Sequence, residues 1–348
     1  MSGWEHHPTP EGPPSHSHWA QTAARDPLGP GELIRGAWRL YRSAPRRFLL
    51  VAAAPGLIQV LLTLPSLLLA FDFVRIMVDV FGDYLARVAA NPEAYRNADS
   101  TVFQAELEAQ LRTVLVPDSN TLLWSALAGG VAMVVGLVGT AALTATALAA
   151  ASGRPIPAAF AFRMVAARAG LVKPILALGI GYLIVSLFPL LLQSSAEFQT
   201  WAGAPGSPRS TLIASLLSVL ALVVTVAIVV LAVRWALFVP AVLVEDLGVG
   251  PGLARAARLS HGIRGRLALA IVGAIILVAI VVGVVAIGVG VVVGLAASSV
   301  ELGFVAYVAA GAIGNACGAP ILPAMFALAF RERAKDAVRM PVTEDAPA

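Results

Sequence analysis

The sequence predicts an all-α, polytopic membrane protein with about six transmembrane helices. Hydrophobic residues make up 58% of the chain and charged residues only 13%, and the mean hydropathy is +0.83. Soluble globular domains carry about 25% charged residues. Six long stretches are free of Asp, Glu, Lys and Arg, and about 20 apolar residues suffice to span a bilayer as a helix. The expected spans lie at about 48–71, 121–150, 174–195, 211–238, 267–297 and 302–330.

The segments outside the six spans differ sharply from them. Residues 1–30 contain six prolines, four histidines and few aliphatic residues, which predicts a disordered tail because little apolar surface is there to bury. A second disordered tail is expected at 339–348. The six-span membrane domain therefore occupies 31–338. Between the first two spans, 72–118 has apolar residues at helical spacing and is expected to form an outer helical segment.

The distribution of basic residues predicts the orientation. If the spans alternate from a cytoplasmic N-terminus, 19 of the 24 Lys and Arg residues fall on the cytoplasmic side. Acidic residues divide evenly between the two sides, as the positive-inside rule allows. The sequence thus predicts a multi-pass protein of a bacterial cell (inner or plasma) membrane, with both termini cytoplasmic.

An internal repeat precedes three of the spans. When three glycines are aligned, an alanine follows eight residues later and an arginine ten residues later in each copy. The matched positions are Gly29, Gly153 and Gly248, then Ala37, Ala161 and Ala256, then Arg39, Arg163 and Arg258. This pattern predicts three helix-plus-hairpin units, each a short interfacial helix followed by a span out and a span back.

The first of these short helices has the clearest amphipathic pattern. Its apolar face is expected to carry Leu33, Ile34, Ala37, Trp38, Tyr41 and Ala44, and its polar face Arg35, Arg39, Arg42 and Arg46. Such a helix is typical of the cytoplasmic membrane interface. Two roles remain open: anchoring the first span, or recognising anionic phospholipid headgroups.

Three segments carry a family resemblance. Gly31-Glu-Leu-Ile-Arg-Gly-Ala-Trp-Arg-Leu-Tyr-Arg42 precedes the first span, Arg234-Trp-Ala-Leu-Phe-Val-Pro-Ala-Val-Leu-Val-Glu245 leads to a basic run at 255–266, and Phe326-Ala-Leu-Ala-Phe-Arg-Glu-Arg333 closes the last span. Together they resemble motifs of bacterial integral membrane proteins classed as the glycerophosphoryl diester phosphodiesterase membrane domain family, over roughly residues 29–338.

The resemblance implies a membrane module and supplies no catalytic residues. In some members this region is fused to a soluble phosphodiesterase barrel, and such a barrel needs about 250 residues. The longest segment between expected spans is 72–118. No catalytic, phosphate-loop or metal-binding motif is present. We therefore expect a protein that is not an enzyme, with no cofactor, no metal site and no nucleic-acid partner.

The candidate functional residues are polar groups at or within the spans. Charges inside a span are costly and often functional. Arg234 follows 24 uncharged residues, and it could reach the headgroups, hold a phosphate, or pair with Glu245 or Asp246. The sequence leaves open whether the fourth span ends at Arg234 or continues past Pro240. The candidate lipid-headgroup or intramembrane contacts are Arg39, Arg163, Arg234, Glu245, Arg258 and Asn315.

Small-residue pairs suggest where helices pack most closely. Gly290 with Gly294, and Gly314 with Gly318, are spaced four residues apart within apolar runs. Such pairs let two membrane helices approach each other closely. For Asn315, an interhelical hydrogen bond is the expected role.

Two functions from different classes remain. The first is a non-enzymatic membrane scaffold or accessory protein that associates with the lipid bilayer, anionic headgroups and a membrane protein partner or a second copy of itself. The alternative is a transporter or lipid-handling protein that uses polar residues within the spans, notably Arg234. The spans contain no acidic residue of the kind that ion-coupled carriers use.

Overall fold

The computed structural model describes residues 29–90, 119–154, 156–194 and 230–339, with isolated positions between 212 and 227. This part of the chain is helical, without strands. Its helices are α1 (Pro30–Ser43), α2 (Pro45–Ala90), α3 (Ser119–Ala151), α4 (Ala158–Ala166), α5 (Ala169–Ser194), α6 (Phe238–Glu245), α7 (Val249–Ser260), α8 (Arg264–Ala297), α9 (Val300–Gly318) and α10 (Ile321–Arg339). Most of both predicted tails (1–28 and 340–348), part of the outer segment and most of the fourth span lie outside the described residues.

Several of the described helices are long and apolar enough to cross a membrane. Four segments meet this description: Pro45–Leu62, Leu123–Ala151, Arg264–Ala297 and Val300–Ala334. The pair α4 and α5, bent by 83°, supplies a fifth if it is counted as one span. The all-α class predicted from the sequence is confirmed for the described residues, and these long apolar helices are consistent with a membrane-embedded protein.

Two predicted spans gain detail from the structure. Helix α2 runs without a break through the first predicted span to Ala90, so the beginning of the outer segment is helical, as expected. The last predicted span, 302–330, lies within Val300–Ala334, where a turn at Ala319 and Pro320 separates α9 from α10. Proline has no backbone N–H and therefore favours a helix start over a helix interior. Ala319 N–H still bonds the Asn315 carbonyl at 2.8 Å, which closes α9.

The buried residues gather at one end of the long helices. We call this end the collar: it comprises helices α1, α4, α6, α7 and α10 and the adjoining ends of the long helices at 45–52, 141–151, 169–175 and 264–274. The largest fully buried side chains there include Phe48, Leu171, Leu237, Leu267 and Met325. The spans beyond the collar instead expose many Leu, Ile and Val side chains, as lipid-facing helices do.

The collar helices pack in a cyclic order. Helix α1 contacts α8, α4 contacts α2, and α7 contacts α5, so each short helix lies against a long helix from elsewhere in the chain. Inside this ring, α3, α6 and α10 contact one another. Small residues make this close approach feasible, since the buried faces of α3 and α10 are rich in alanine.

The three short helices that the sequence aligned share their burial pattern. Each begins after an extended residue: Gly29, Pro157 or Gly248. In α1 the Glu32 carboxylate accepts a hydrogen bond from Gly29 N–H at 2.9 Å, one half of a capping box. The aligned alanines, Ala37, Ala161 and Ala256, are completely buried, whereas Arg39, Arg163 and Arg258 are exposed.

Glycines line the seam between α8 and α9. A Cβ placed on Gly290 would lie 2.8 Å from the Tyr307 Cβ and 3.0 Å from the Gly303 carbonyl oxygen. A Cβ on Gly314 would lie 2.8 Å from a methyl group of Val282. These distances are shorter than van der Waals contact, so the backbones can approach only because the side chains are absent. The packing role predicted for the paired glycines is confirmed.

Candidate membrane-surface site

The collar carries a strong excess of positive charge. Its segments 29–47, 151–173, 230–266 and 331–339 contain 18 Lys and Arg residues and five Asp and Glu residues. Of the predicted candidates, Arg39, Arg163 and Arg258 point outward from α1, α4 and α7. They lie on three different helices, so each contributes positive charge at a separate position around the outside of the collar.

Helix α1 combines this charge with an exposed aromatic ring. Its apolar side packs against α10, α8 and α3 instead of facing lipid directly. Leu33, Ala37 and Tyr41 are buried in that contact, whereas Trp38 is 44% exposed. The Arg42 guanidinium carbon lies 5.4 Å from the centre of the Trp38 ring, within cation–π range. A tryptophan beside arginines is typical of the membrane–water boundary.

The buried side of α1 also contacts α2. Burial raises the pKa of the Tyr41 hydroxyl. The Tyr41 ring packs edge-on against Phe48 of α2, with ring centres 5.9 Å apart. Helix α1 therefore joins the first long helix to α8 at the collar.

Arg234 lies at a break in the chain, not inside a continuous span. The helix described at 230–235 ends in a turn at Ala236 and Leu237, and α6 starts at Phe238. Pro240 falls in the first turn of α6, where a missing N–H is tolerated. The fully buried Ser260 donates a hydrogen bond to the Arg234 carbonyl oxygen at 2.9 Å. The Arg234 side chain is exposed.

The acidic residues after α6 bind arginines other than Arg234. Arg255 Nε lies 3.0 Å from both carboxylate oxygens of Glu245. Asp246 pairs with Arg168 at the start of α5, and its backbone is left-handed, with φ of 53°. Glu245 thus joins α6 to α7, and the pairing considered for Arg234 is not the one that the structure makes.

Asn315 does not show its expected role in the part of the chain that the structure describes. Its side chain is exposed on α9, and the described hydrogen bonds give it no partner on another helix. Gln59 of α2 supplies an interhelical bond instead, from Nε2 to the Ala132 carbonyl oxygen of α3 at 3.1 Å. The sequence showed Gln59 as the most polar residue of the first span, which was the available signal.

Two arginines of α10 cap other helices, a role that the sequence did not predict. Arg331 donates a hydrogen bond to the Ala151 carbonyl at the end of α3. Arg333 donates to the carbonyls of Leu259 and His261 at the end of α7, at 3.3 and 2.7 Å. Helix C-termini leave carbonyls unpaired and carry partial negative charge, so arginine is well suited there. The only advance signal was a pair of arginines just after an apolar run.

Comparison with other proteins leaves the chain's family open. The chain matches no family model, and comparisons with curated proteins and with solved structures give no significant match. Among the described residues, no group of His, Cys, Asp and Glu side chains could hold a metal ion. The described site presents exposed arginines beside exposed apolar side chains.

Proposed function

We propose that the protein is a non-enzymatic membrane scaffold or accessory protein that associates with anionic lipids and with partner proteins. It would lie in a bacterial cell (inner or plasma) membrane with six spans and both termini cytoplasmic. The resemblance to the glycerophosphoryl diester phosphodiesterase membrane domain family belongs to this proposal. A second copy of the chain or another membrane protein would be the partner.

The cyclic contacts in the collar support three repeated units. In this proposal the units begin at α1, α4 and α7, and each short helix rests on the first long helix of the neighbouring unit. The returning helices α3, α6 and α10 then meet around a common axis. The contacts of α1 with α8, of α4 with α2 and of α7 with α5 follow this rule.

The observation that carries the proposal is the packed, arginine-rimmed collar. Its interior is filled by fully buried apolar side chains such as Phe48, Leu237 and Met325, and its outer surface presents arginines from three helices. Each Lys or Arg near an anionic membrane surface contributes about 1 kcal/mol of attraction. A filled interior with a positively charged outer surface is better suited to binding lipids or proteins than to passing a substrate across the membrane.

Lipid composition around the purified protein tests this proposal. The wild type and a triple variant, Arg39→Gln with Arg163→Gln and Arg258→Gln, are placed in nanodiscs with equal amounts of phosphatidylglycerol and phosphatidylethanolamine. Arg75→Gln is the control, because Arg75 is exposed on α2 far from the collar. We expect co-purifying phosphatidylglycerol to be enriched in the wild type and the control and reduced in the triple variant. Equal lipid composition in all three samples contradicts the proposal.

The break beside Arg234 is the observation that favours the lipid-handling alternative. Interrupted helices often lie at substrate sites of transporters, and here the exposed Arg234 is next to the turn at Ala236 and Leu237. Transfer of fluorescent phospholipid between the leaflets of proteoliposomes separates the two functions. The scaffold proposal expects no transfer above protein-free vesicles. Transfer that is lost in Arg234→Ala and retained in Arg234→Lys would favour the alternative.

A further inference from the structure

The surface of α1 divides into three strips. At 100° per residue, Arg35, Arg39 and Arg42 fall within about 60° of arc on the outer side. Ile34 and Trp38 lie between this arginine strip and the buried strip that packs on the collar. Since Ile34 contacts α8, the arginine strip faces outward just beside α8, with Trp38 between them.

Helix α1 crosses α8 well away from the charged start of that helix. The Ile34 Cδ1 atom lies 3.6 Å from the position that a Cβ on Gly273 would take. Gly273 is nine residues beyond Arg264, which corresponds to about 13 Å along the axis. Arg35, the neighbour of Ile34, is therefore level with about the third turn of α8, at the edge of the collar and beyond its basic first turn.

The wall of α8 beyond this crossing is apolar and uncovered. Ile276, Leu277 and Ile280 project within about 60° of the direction of Gly273. Each of these side chains is at least half exposed. We call the junction of α1 and α8 the corner. It has the guanidinium groups of Arg35 and Arg39 on α1, and next to them, toward the centre of the spans, the exposed aliphatic side chains of Ile276, Leu277 and Ile280 on α8.

We propose that this corner binds one anionic phospholipid, with its phosphate on Arg35 and Arg39 and an acyl chain along Ile276, Leu277 and Ile280. The proposal rests on the membrane orientation given under the proposed function. Side chains four residues apart on a helix are about 6 Å apart, so both guanidinium groups can reach one phosphate. Charge-assisted hydrogen bonds of this kind are about twice as strong as neutral ones.

The other short helices, α4 and α7, have fewer arginines available to bind a phosphate. Helix α7 carries Arg255 and Arg258, but Arg255 is bound to Glu245. Helix α4 has one arginine, Arg163, in its nine residues. Helix α1 alone among the described short helices places two arginines one turn apart beside an exposed tryptophan. A lipid bound at a fixed position is therefore expected at α1.

Photo-crosslinking with a phosphatidylglycerol analogue that carries a diazirine on its acyl chain tests the proposal. The protein is placed in nanodiscs, irradiated and digested, and the labelled peptides are quantified by mass spectrometry. We expect labelling concentrated at 276–280 for the wild type and reduced about tenfold in the Arg35→Gln, Arg39→Gln variant, which loses both charge-assisted contacts. A phosphatidylethanolamine analogue should label these residues less.

A matched variant separates a fixed site from general attraction. Arg163→Gln with Arg258→Gln removes the same charge from α4 and α7 and should leave labelling at 276–280 unchanged. Labelling that falls equally in both variants, or that spreads evenly to the exposed Leu176 and Leu178 of α5, contradicts the α1 site. If the α1 site is contradicted in this way but phosphatidylglycerol is still enriched around the wild type, the scaffold proposal stands without the α1 site. Equal elution volumes and unfolding midpoints verify that both variants are folded.

Discussion

Helix α8 runs through two environments, the packed collar and the lipid-facing part of the spans, and the burial of its side chains differs between them. Near its start, Leu267 is 0% exposed, packed within the collar, whereas Leu295, near its other end, is 76% exposed. Beyond the collar, α8 contacts α9 through glycines and exposes aliphatic side chains elsewhere. The collar is organised like the core of a soluble protein, and the spans are organised to face lipid.

This difference separates two sources of stability. In the collar, apolar side chains are removed from water and lipid and pack against other protein atoms. A substitution that leaves a cavity there therefore lowers stability. In the spans, lipid replaces protein as the neighbour of a leucine, and helices associate mainly where small residues let backbones meet. Substitutions of the same type should therefore have different effects in the two regions.

The largest expected effect is at Leu267. Leu267→Ala should lower the free energy of unfolding by about 2–5 kcal/mol, because it leaves a cavity inside the collar. Leu295→Ala, with the same chemistry on the same helix but outside the collar, should change it by less than about 0.5 kcal/mol. Denaturation in mixed micelles measures both. Equal losses would mean that the collar and the lipid-facing surface do not differ as described.

The glycine seam should come second. Gly290→Val should destabilise the α8–α9 hairpin by about 1–3 kcal/mol, because the new side chain overlaps Tyr307. Gly288→Val is the matched control, since a Cβ at Gly288 meets nothing within 4 Å. The same unfolding measurement applies. If the two valine variants are equally stable, close packing at the seam does not hold the hairpin together.

A smaller effect is expected at the ion pair between α6 and α7. Glu245 and Arg255 are each 28% exposed, so solvent screens part of their attraction. A double-mutant cycle with Glu245→Gln and Arg255→Gln should give a coupling energy of about 1 kcal/mol. The same cycle between Glu245 and Arg234 should give a value near zero. Coupling to Arg234 instead would contradict the pairing in the structure.

The smallest effect on stability is expected at the exposed arginines. Arg39→Gln, Arg163→Gln and Arg258→Gln should each change the free energy of unfolding by less than about 0.5 kcal/mol, since these side chains are exposed. Any loss of phosphatidylglycerol in the triple variant then reflects lipid binding and not misfolding. A large loss of stability at any of the three would show that the arginine is structural.

The sequence predicted the fold class and failed where tertiary contacts decide. Apolar length and helical spacing were enough to predict long apolar helices and an amphipathic α1, because both depend on composition and periodicity. The turn at Ala319 and Pro320 interrupts a run that is apolar on both sides, so hydropathy alone could not reveal it. The partners of Glu245 and Asp246 depend on how α6, α5 and α7 meet, which no local pattern encodes.

Some structural features of the candidate residues could be predicted from the sequence, and others could not. The exposure of Arg39 agrees with its expected place on the polar face of α1, and Arg163 and Arg258 are exposed at the aligned positions of α4 and α7. The capping roles of Arg331 and Arg333 were missed, because their carbonyl partners belong to α3 and α7, far away in sequence. Asn315 was given a role that Gln59 fills, since hydropathy identifies polar residues without showing which helix they face.

Cysteine accessibility in intact cells tests the central claim, that the collar faces the cytoplasm, most directly. In a Cys317→Ser background, Ala159→Cys places an exposed thiol on α4 of the collar, and Ala297→Cys places one at the opposite end of α8. A membrane-impermeant maleimide should label Ala297→Cys in intact cells and label Ala159→Cys only after permeabilisation. Labelling of Ala159→Cys in intact cells would put the arginine surface outside and contradict the account.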